Sequence, residues 1–332
     1  MKQKNNYSRR NFIKITTASS IALALPSSAL AIFENQDKPI KIGLIADLHN
    51  DVMHDGKERL SSFLKAMKQY RPDALVQLGD FAYPGDKNKE VIELFNNANK
   101  NTLHVIGNHD TDAGYTKQQC IDYWGMSGRY YVKKVNGISF IVLDGNDKGS
   151  PTYSGGYVSY IGEQQWMWLK EQLKIIDGPI IIVSHQPLAG AFAVDNAEEI
   201  QDILSTASDK ILLCINGHTH IDSLVRIKNV SYLHINSASY QWVGGKYKHQ
   251  SYSQEVHENF KFIDHTCPYK DSLFAEMTID PITMTVKIEG RTSEWVGSSP
   301  AELGADQHPT LTNGEEIAAH IRNRNIEKVN KK

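Results

Sequence analysis

The chain has 332 residues and a mass of 37.3 kDa, which is enough for one large domain with a deep core. Hydrophobic residues make up 40% and charged residues 22%, as is typical of a soluble globular protein. The formal net charge is -2 and the sequence pI about 6.7, so the chain lacks the basic excess that an obligatory nucleic-acid partner requires.

The N-terminus has the pattern of an export signal. Arg9 and Arg10 precede an apolar stretch at residues 15–25, and residues 29–31 read Ala-Leu-Ala, a small-x-small cleavage pattern. The arginine pair resembles the twin-arginine subclass. A transmembrane anchor is the alternative, but the apolar run is short and rich in Ser and Thr. We therefore predict a signal peptide at residues 1–31, transient use of the twin-arginine export machinery, a periplasmic or secreted bacterial protein, and no stable membrane insertion after cleavage.

The first half of the mature chain alternates apolar runs with helical spacing. The predicted elements, in chain order, are strand 40–46, helix 58–70, strand 74–78, helix 89–98, strand 102–106, and strands 130–135 and 138–143. The β-α-β-α-β order favours a parallel layer. The last two strands form a predicted hairpin, because Asn136-Gly137 between them is the strongest short hairpin signal in the chain.

The second half continues the α/β pattern. Its predicted elements are helix 163–174, strand 179–183, helix 197–205, strand 211–215, strands 224–228 and 232–235, and a hairpin of 273–279 with 284–289. The residues from about Thr312 onward are polar, with a weak helical stretch at 315–324, and we interpret them as peripheral. The predicted domains are the signal peptide at 1–31, a main domain at 38–292 and a C-terminal extension at 293–332.

Five predicted strands end in a residue that binds metals well. The full ordered pattern is Asp47-x-His49, Gly79-Asp80, Gly107-Asn108-His109-Asp110, His185 and Gly217-His218-x-His220. Each fragment alone is better explained as a turn, as a polar loop or, for His185, as a hydrogen-bonded histidine. Together they indicate a site, because ligands collect at the carboxyl ends of strands in open α/β sheets. Asp, Asn and His are the donors of a mixed oxygen and nitrogen metal site.

This ordered set resembles the calcineurin-like metallophosphoesterase family over approximately residues 40–240. Its order looks like that of class III cyclic nucleotide phosphodiesterases, and it also occurs in broad phosphatases and glycerophosphodiesterases. The resemblance implies a β-sandwich flanked by helices in α/β/β/α layers. It also implies two adjacent divalent or trivalent metal ions, whose identity as Mn, Fe or Zn stays open.

The resemblance implies a role for each motif residue. The first metal takes Asp47, His49 and His220, the second takes Asn108, His185 and His218, and Asp80 bridges the two. His109 lies beside the departing oxygen and either protonates it or donates a hydrogen bond to it in the transition state, and Asp110 orients His109. The implied reaction is hydrolysis of a small-molecule phosphate mono- or diester by a hydroxide that bridges the two metals.

One stretch also fits a second branch of the family. Gly79-Asp80-Phe81-Ala82-Tyr83 matches the Gly-Asp-x-x-Tyr of purple acid phosphatases, in which the tyrosine binds iron. Those enzymes lack the histidine of the Asp-x-His motif, whereas His49 is present here. We therefore interpret Tyr83 as a residue beside the ligands or facing the substrate.

The segment at 240–270 is rich in aromatic residues and has little periodicity. Tyr240, Trp242 and Tyr247 either wall a substrate pocket or pack over the sheet edge. The loop with Arg291 and Trp295 is a further candidate to reach the site.

Several histidines and the cysteines stand outside the motif. The histidines without motif context, which we assign to no metal, are His234, His249, His257 and His265. Cys214 lies in an apolar run typical of a buried thiol. Cys120 with Cys267 is the one disulfide pairing that we consider.

Two further functions stay open. The first is a non-catalytic metal-binding interaction module on the same scaffold, although no ligand of the motif is missing and His109 is present. The second is a nuclease, which the pI of about 6.7 and the lack of a basic stripe disfavour. The sequence leaves the oligomeric state undetermined.

Overall fold

A computed structural model describes residues 38–308, 311 and 315–328. The predicted signal peptide at 1–31 lies outside these residues. Among the helices that are described, none combines the length and the apolar character needed to cross a membrane.

The strands of the described residues lie close to the predicted positions in most cases. In chain order they are β1 (Ile40–Ile45), β2 (Ala74–Gln77), β3 (Thr102–His104), β4 (Tyr131–Val135), β5 (Ile138–Val142), β6 (Ile180–Val183), β7 (Ile211–Asn216), β8 (Ser223–Ile227), β9 (Val230–His234), β10 (Tyr240–Trp242), β11 (Thr266–Pro268), β12 (Ala275–Ile279), β13 (Val286–Glu289) and β14 (Arg324–Ile326).

The helices connect the parallel strands and cover the sheets. They are α1 (Gly56–Tyr70), α2 (Lys89–Asn96), α3 (Lys117–Trp124), α4 (Glu163–Ile175), α5 (Ala197–Ser205), α6 (Gln254–Asn259) and α7 (Pro300–Leu303). Short 3-10 turns occur at Asp86–Asn88, His109–Gly114, Gly245–Tyr247 and Ile263–His265.

Two six-stranded sheets organise the chain. The first has the order β14-β13-β12-β1-β2-β3 and the second the order β4-β5-β6-β7-β9-β8, while β10 and β11 form a separate ribbon. In the first sheet β1, β2 and β3 are parallel. In the second, β5, β6, β7 and β9 are parallel. The predicted parallel layer is therefore present in both sheets.

Successive side chains along a strand face opposite sides of the sheet, and this divides the buried residues into separate layers. In β6, Ile181 and Val183 belong to the core between the two sheets, whereas Ile180 and Ile182 belong to the core that α4 and α5 cover. The helices α1, α2 and α3 pack on the outer face of the first sheet. The layer order is therefore α/β/β/α, and this confirms the predicted fold class.

The turn between β4 and β5 has the predicted hairpin geometry. Asn136 and Gly137 both adopt left-handed backbone conformations, with φ of 46° and 86°. This is the combination that a two-residue type I′ turn requires.

Helix α3 is not among the predicted elements, although the chain carries a signal for it. The Thr116 side chain accepts from the Gln119 backbone N–H, and the Gln119 side chain accepts from the Thr116 backbone N–H, which is a capping box. The helix is short, so the cap is a clearer local signal than its apolar spacing.

The predicted helical stretch at 315–324 is wrong. Residues 315–323 contain no helix, and β14 follows and pairs antiparallel with β13. The amide of Asn236 donates to the carbonyls of Ala318 and His320 and holds this segment in an extended conformation. Ile321 and Ile326 are buried in the core between the sheets, so residues 315–328 are integral to the fold and not peripheral.

The disulfide that we considered is absent. Cys120, Cys214 and Cys267 are all described, and all three are buried and free. The loop of Arg291 and Trp295 packs on neighbouring side chains of the fold: the guanidinium of Arg291 lies 4.0 Å from the ring centroid of Phe274, and Trp295 contacts the ring of Tyr269.

Candidate metal centre

Five strand ends deliver polar side chains to one edge of the sandwich. Asp47, Asp80 and Asn108 follow β1, β2 and β3 of the first sheet, and His185 and His218 follow β6 and β7 of the second. Parallel strands end on the same side, so the carboxyl edges of both sheets meet there. The sequence-predicted residues are therefore brought together although they lie far apart in the chain.

The first group contains Asp47, His49 and His220. Their candidate ligand atoms all lie within 4.8 Å of one another. The Nε2 atom of His220 is 3.3 Å from a carboxylate oxygen of Asp47 and 3.3 Å from Nε2 of His49. All three residues are buried, as a shielded cation site requires.

The second group contains Asp80, His185 and His218, again within 4.8 Å, with Asn108 beside them. Nε2 of His185 lies 3.2 Å from Oδ2 of Asp80, 3.1 Å from Oδ1 of Asn108 and 3.2 Å from Nδ1 of His218. Carboxylate, amide and imidazole donors thus converge in each half of the centre.

Asp80 connects the two groups. Its Oδ2 atom lies 3.6 Å from Nε2 of His49 in the first group and 3.2 Å from Nε2 of His185 in the second. Its other oxygen accepts from the backbone N–H of His109 at 2.8 Å. One carboxylate therefore reaches both sets of histidines while its orientation is held by the main chain.

Carbonyl groups select the tautomer of two histidines. Nδ1 of His185 donates to the carbonyl of Leu78 and Nδ1 of His220 to that of Tyr240, each at 2.7 Å. The Nε2 lone pair of both rings is then directed into the site, as in metal-binding histidines generally.

The backbone at these residues is strained. Five residues of the centre have left-handed φ values between 48° and 70°, namely Asp47, His49, Asp80, His218 and His220. Such values are uncommon for residues other than glycine and cost about 1 kcal/mol or more each. Main-chain hydrogen bonds hold them, including those from Asp47 N–H to Gly79 and from His49 N–H to Asp80.

The glycines beside the candidate ligands occupy positions at which no larger side chain fits. A Cβ atom on Gly107 would lie 2.1 Å from Oδ1 of Asp80, and one on Gly79 would lie 2.4 Å from Nδ1 of His185. Gly79 also has a φ of 94°. The motif glycines therefore mark positions at which the main chain passes directly against a ligand.

His109 is oriented by Asp112, a residue outside the predicted set. The Asp112 carboxylate lies 2.8 Å from Nδ1 of His109, and the Tyr157 hydroxyl donates to the same carboxylate at 2.7 Å. The rings of His109 and Tyr157 are in contact, with centroids 4.6 Å apart. The Nε2 atom of His109 is consequently the nitrogen left to face a substrate.

The predicted role of Asp110 as the partner of His109 is wrong. Its carboxylate accepts three backbone N–H bonds, from Gly107, Asp80 and Phe81, at 2.7 to 2.8 Å. Asp110 therefore positions the loops that carry Asp80 and Asn108. The side chain three residues after His109 lies over the same turn, so the spacing His-x-x-Asp was the available signal for Asp112.

Burial and neighbouring charges shift the pKa values in the centre. Burial and the nearby His185 lower the pKa of His218 to about 3. Burial opposes protonation of His185 too, but the adjacent Asp80 outweighs it and raises the pKa of His185. Burial and Asp80 raise the pKa of Asp110, against the effect of its backbone donors. Metal binding at such a centre is linked to proton release.

A narrow cleft opens over the centre. Its walls include His49, Asp51, Asp80, Tyr83 and His109. The backbone N–H of Tyr83 donates to the carboxylate of Asp51 at 2.7 Å, so this tyrosine is anchored beside the ligands. The cleft therefore gives access from the side that carries His109.

Residues after β9 support the centre, and two of them, Ser237 and Ser239, were not assigned from the sequence. The hydroxyl of Ser237 donates to the carbonyl of Asp47, and that of Ser239 to the carbonyl of Leu48. Tyr240 is buried and stacks on His49, with ring centroids 4.9 Å apart. Trp242 is exposed and stacks on His265 instead. The available sequence signal was the position of residues 236–239, Asn-Ser-Ala-Ser, directly after a predicted strand. Because β9 runs parallel to β7, the two strands end at the same edge of the sheet, where the centre lies.

Comparisons with known proteins agree with this geometry. The sequence profile described as calcineurin-like phosphoesterase matches residues 40–222. A comparison with curated protein sequences found no match. Among solved structures, a dimetal phosphatase from Danio rerio is similar at 13% identity and a TM-score of 0.55, over 87% of this chain and 99% of that one. GAP50, described as the anchor in the inner membrane complex of Plasmodium, is similar at 16% identity and a TM-score of 0.50, over 82% and 91%. At such identities the two structures show a shared fold.

Proposed function

The chain belongs to the calcineurin-like phosphoesterase family, and from this membership we propose that it hydrolyses phosphate mono- or diesters at a pair of metal ions. The observation that carries the proposal is the position of Asp80, whose Oδ2 atom lies between the histidines of both ligand groups. A carboxylate in that position suits two neighbouring cations better than one.

The donor sets fit the two ions. Asp47, His49 and His220 would hold one, Asn108, His185 and His218 would hold the other, and Asp80 would be shared. Mixed carboxylate, amide and imidazole donors suit Mn, Fe or Zn. When bound, such a pair of cations lowers the pKa of a water molecule and neutralises the charge that develops on the phosphoryl oxygens.

The chain's own contribution to bond cleavage would come from His109. Its side chain is 36% exposed and lies at the cleft, with Nδ1 engaged by Asp112. Burial lowers the pKa of His109, but its contact with Asp112 and the charge of Asp80 outweigh this and raise it. An imidazole so placed can donate a proton from Nε2 to a departing alkoxide.

The experiment is reconstitution of metal-stripped protein. We expect no turnover of p-nitrophenyl phosphate or bis-p-nitrophenyl phosphate without metal, and turnover after addition of Mn²⁺, Zn²⁺ or Fe. Asp80→Asn and His218→Gln should bind less metal and lose activity by at least about a hundredfold. His54→Gln is the matched control, because His54 is exposed and contacts Tyr252 and Phe260 rather than the ligands.

The same experiment separates the alternative functions. Stable binding of about two metal equivalents with no turnover of any phosphoester would favour the non-catalytic module. Metal-dependent cleavage of plasmid DNA with no small-ester turnover would favour the nuclease. Either outcome would contradict the proposed small-molecule activity.

We also propose export through the twin-arginine route. The support is the arginine pair followed by the apolar stretch and the Ala-Leu-Ala pattern. Replacing Arg9 and Arg10 together by lysine should retain the uncleaved protein in the cytoplasm of a bacterial host. The measurement is cell fractionation with mass determination, and processing of the double variant at the wild-type rate would contradict the proposal.

A further inference from the structure

A second cavity adjoins the metal centre. It has a volume of about 150 Å³, and its walls include Phe192, Thr219, Gln241, Trp242 and Tyr247 together with residues from 305–308. Thr219 stands between the two ligand histidines of the last motif. One wall residue of the cavity is therefore adjacent in the chain to two histidines of the centre.

The strand β10 couples the cavity to the centre. Tyr240 stacks on His49, and its carbonyl accepts from His220, while the next residues in the strand, Gln241 and Trp242, line the cavity. Another wall residue is Phe192, whose ring centroid lies 6.4 Å from that of His218. The cavity wall therefore contains residues that pack beside two histidines of the centre.

The cavity exposes aromatic surface that a folded core would bury. Phe192 is 39% and Trp242 44% exposed. Phe192 also has a left-handed φ of 54°, a strained backbone conformation for a bulky side chain. Its ring packs on that of His308 at a centroid distance of 4.5 Å. Such aromatic walls favour a flat apolar ring between them.

One buried polar atom in the wall has no partner among the described residues. Gln241 is 8% exposed, and its Oε1 atom lacks a hydrogen bond, while Nε2 donates to the carbonyl of Trp242. A buried acceptor left unpaired is destabilising, because it has lost its hydrogen bonds to water without gaining others. An N–H or O–H group of a ligand would satisfy it.

We propose that this cavity binds the organic group of the phosphoester, as a single aromatic ring that carries an N–H or O–H donor for Gln241. The proposal rests on the proposed hydrolysis. The volume supports one ring, because an apolar cavity of about 150 Å³ is known to accommodate benzene. Whole organic ligands need about 300 Å³ or more, so the rest of the substrate must lie outside the cavity.

The test compares esters whose leaving groups are all primary alcohols. They are 3-hydroxybenzyl phosphate, 3-fluorobenzyl phosphate and butyl phosphate, of which the first carries a donor on its ring, the second only a ring, and the third neither. We expect kcat/KM for the hydroxy compound to exceed that for the fluoro compound about tenfold, the factor that corresponds to about 1.4 kcal/mol. Both aromatic esters should exceed butyl phosphate.

Two variants of Gln241 distinguish recognition from a structural effect. Gln241→Met should abolish the preference for the hydroxy compound over the fluoro compound, and elemental analysis of its metal content checks that the centre is intact. Gln241→Glu retains an acceptor and should retain the preference. Persistence of the preference in Gln241→Met, or aromatic esters no better than butyl phosphate, would overturn the proposal.

A failure of the proposed hydrolysis would look different. If the metal-loaded protein turns over none of the three esters or p-nitrophenyl phosphate, the hydrolytic function fails and the cavity is tested by binding alone. Saturation-transfer NMR of 3-hydroxybenzyl alcohol should then show contact with the wild-type protein and markedly weaker contact with Gln241→Met. Equal signals from both proteins would remove the cavity proposal as well.

Discussion

At the scale of single residues, the orientation of His109 comes from outside its motif. The carboxylate of Asp112 contacts Nδ1. The hydroxyl of Tyr157, which lies 45 positions after Asp112 in the chain, donates a hydrogen bond to that carboxylate. Asp110, which adjoins His109 in the sequence, is occupied by three backbone N–H groups. Sequence adjacency and spatial partnership differ here because consecutive side chains in a turn point in different directions.

This arrangement predicts a graded loss in variants that weaken it. His109→Ala should lower kcat by about 10² to 10⁴, the usual contribution of a general acid. Asp112→Asn should lower it by about tenfold and Tyr157→Phe by less, because the ring stays in place but its tautomer or angle is less well held.

Leaving-group dependence checks the cause. The losses should be larger for alkyl phosphates than for p-nitrophenyl phosphate, whose leaving group needs little protonation, and metal content by elemental analysis should be unchanged. Equal losses for both substrates would argue that these residues act on folding rather than on His109.

Gly107 provides a second prediction at this scale. In Gly107→Ala the new Cβ would fall 2.1 Å from the Asp80 carboxylate, so Asp80 must move and the shared ligand is displaced. We expect loss of at least one metal equivalent and a fall in kcat/KM of about a hundredfold or more. Gly128→Ala is the matched control, because its new Cβ meets nothing closer than 3.4 Å. Normal metal content in Gly107→Ala would contradict this steric explanation.

At the scale of elements, a buried histidine joins the helical layer to the first sheet. His104, at the end of β3, contacts Asn96 of α2 at 2.7 Å and stacks on Trp124 of α3. Burial, assisted by Lys133, lowers the pKa of His104 to about 3. The docking of two helices therefore depends on a neutral imidazole.

Stability should accordingly fall with acidification. The unfolded chain protonates His104 near pH 6.5 and the folded protein only near 3, so the contribution is fully present above pH 6.5 and is lost as the pH falls. At pH 5 the loss is about 2 kcal/mol.

The measurement is urea unfolding of metal-free protein between pH 7 and 4. His104→Gln keeps a hydrogen-bonding side chain without this titration, so its free energy of unfolding should vary less with pH by about that amount. Parallel pH profiles for the two proteins would contradict the assignment.

At the scale of the whole molecule, the C-terminal segment joins distant parts of the fold. It adds β14 to the first sheet, and its Ala318 carbonyl accepts a hydrogen bond from the side-chain amide of Asn236, next to the metal centre. Arg322 and Arg324 also pair with the buried carboxylate of Asp222, two residues after the candidate ligand His220. A segment late in the chain thus supports both sheets and the site.

Removal of residues 315–332 should therefore destabilise the entire protein. Asp222 and Asn236 would lose partners while buried, and each such loss costs about 1 to 3 kcal/mol or more. We expect a drop in Tm of more than about 5 °C, measured by calorimetry of the metal-loaded protein. Removal of residues 329–332 alone is the control. An unchanged Tm in the longer truncation would show that the segment is peripheral after all.

The sequence by itself located most of the strands and helices and the candidate ligand set. Apolar runs, helical spacing and Asn136-Gly137 located most strands and helices, because these signals are local. The motif located Asp47, Asp80, Asn108 and the histidines, because the ends of parallel strands must meet on one edge. Long-range contacts were decided only by the tertiary structure. The partner of His109, the extended C-terminal segment and the cavity beside Gln241 each depend on side chains that are remote in the sequence, and no periodicity encodes such contacts.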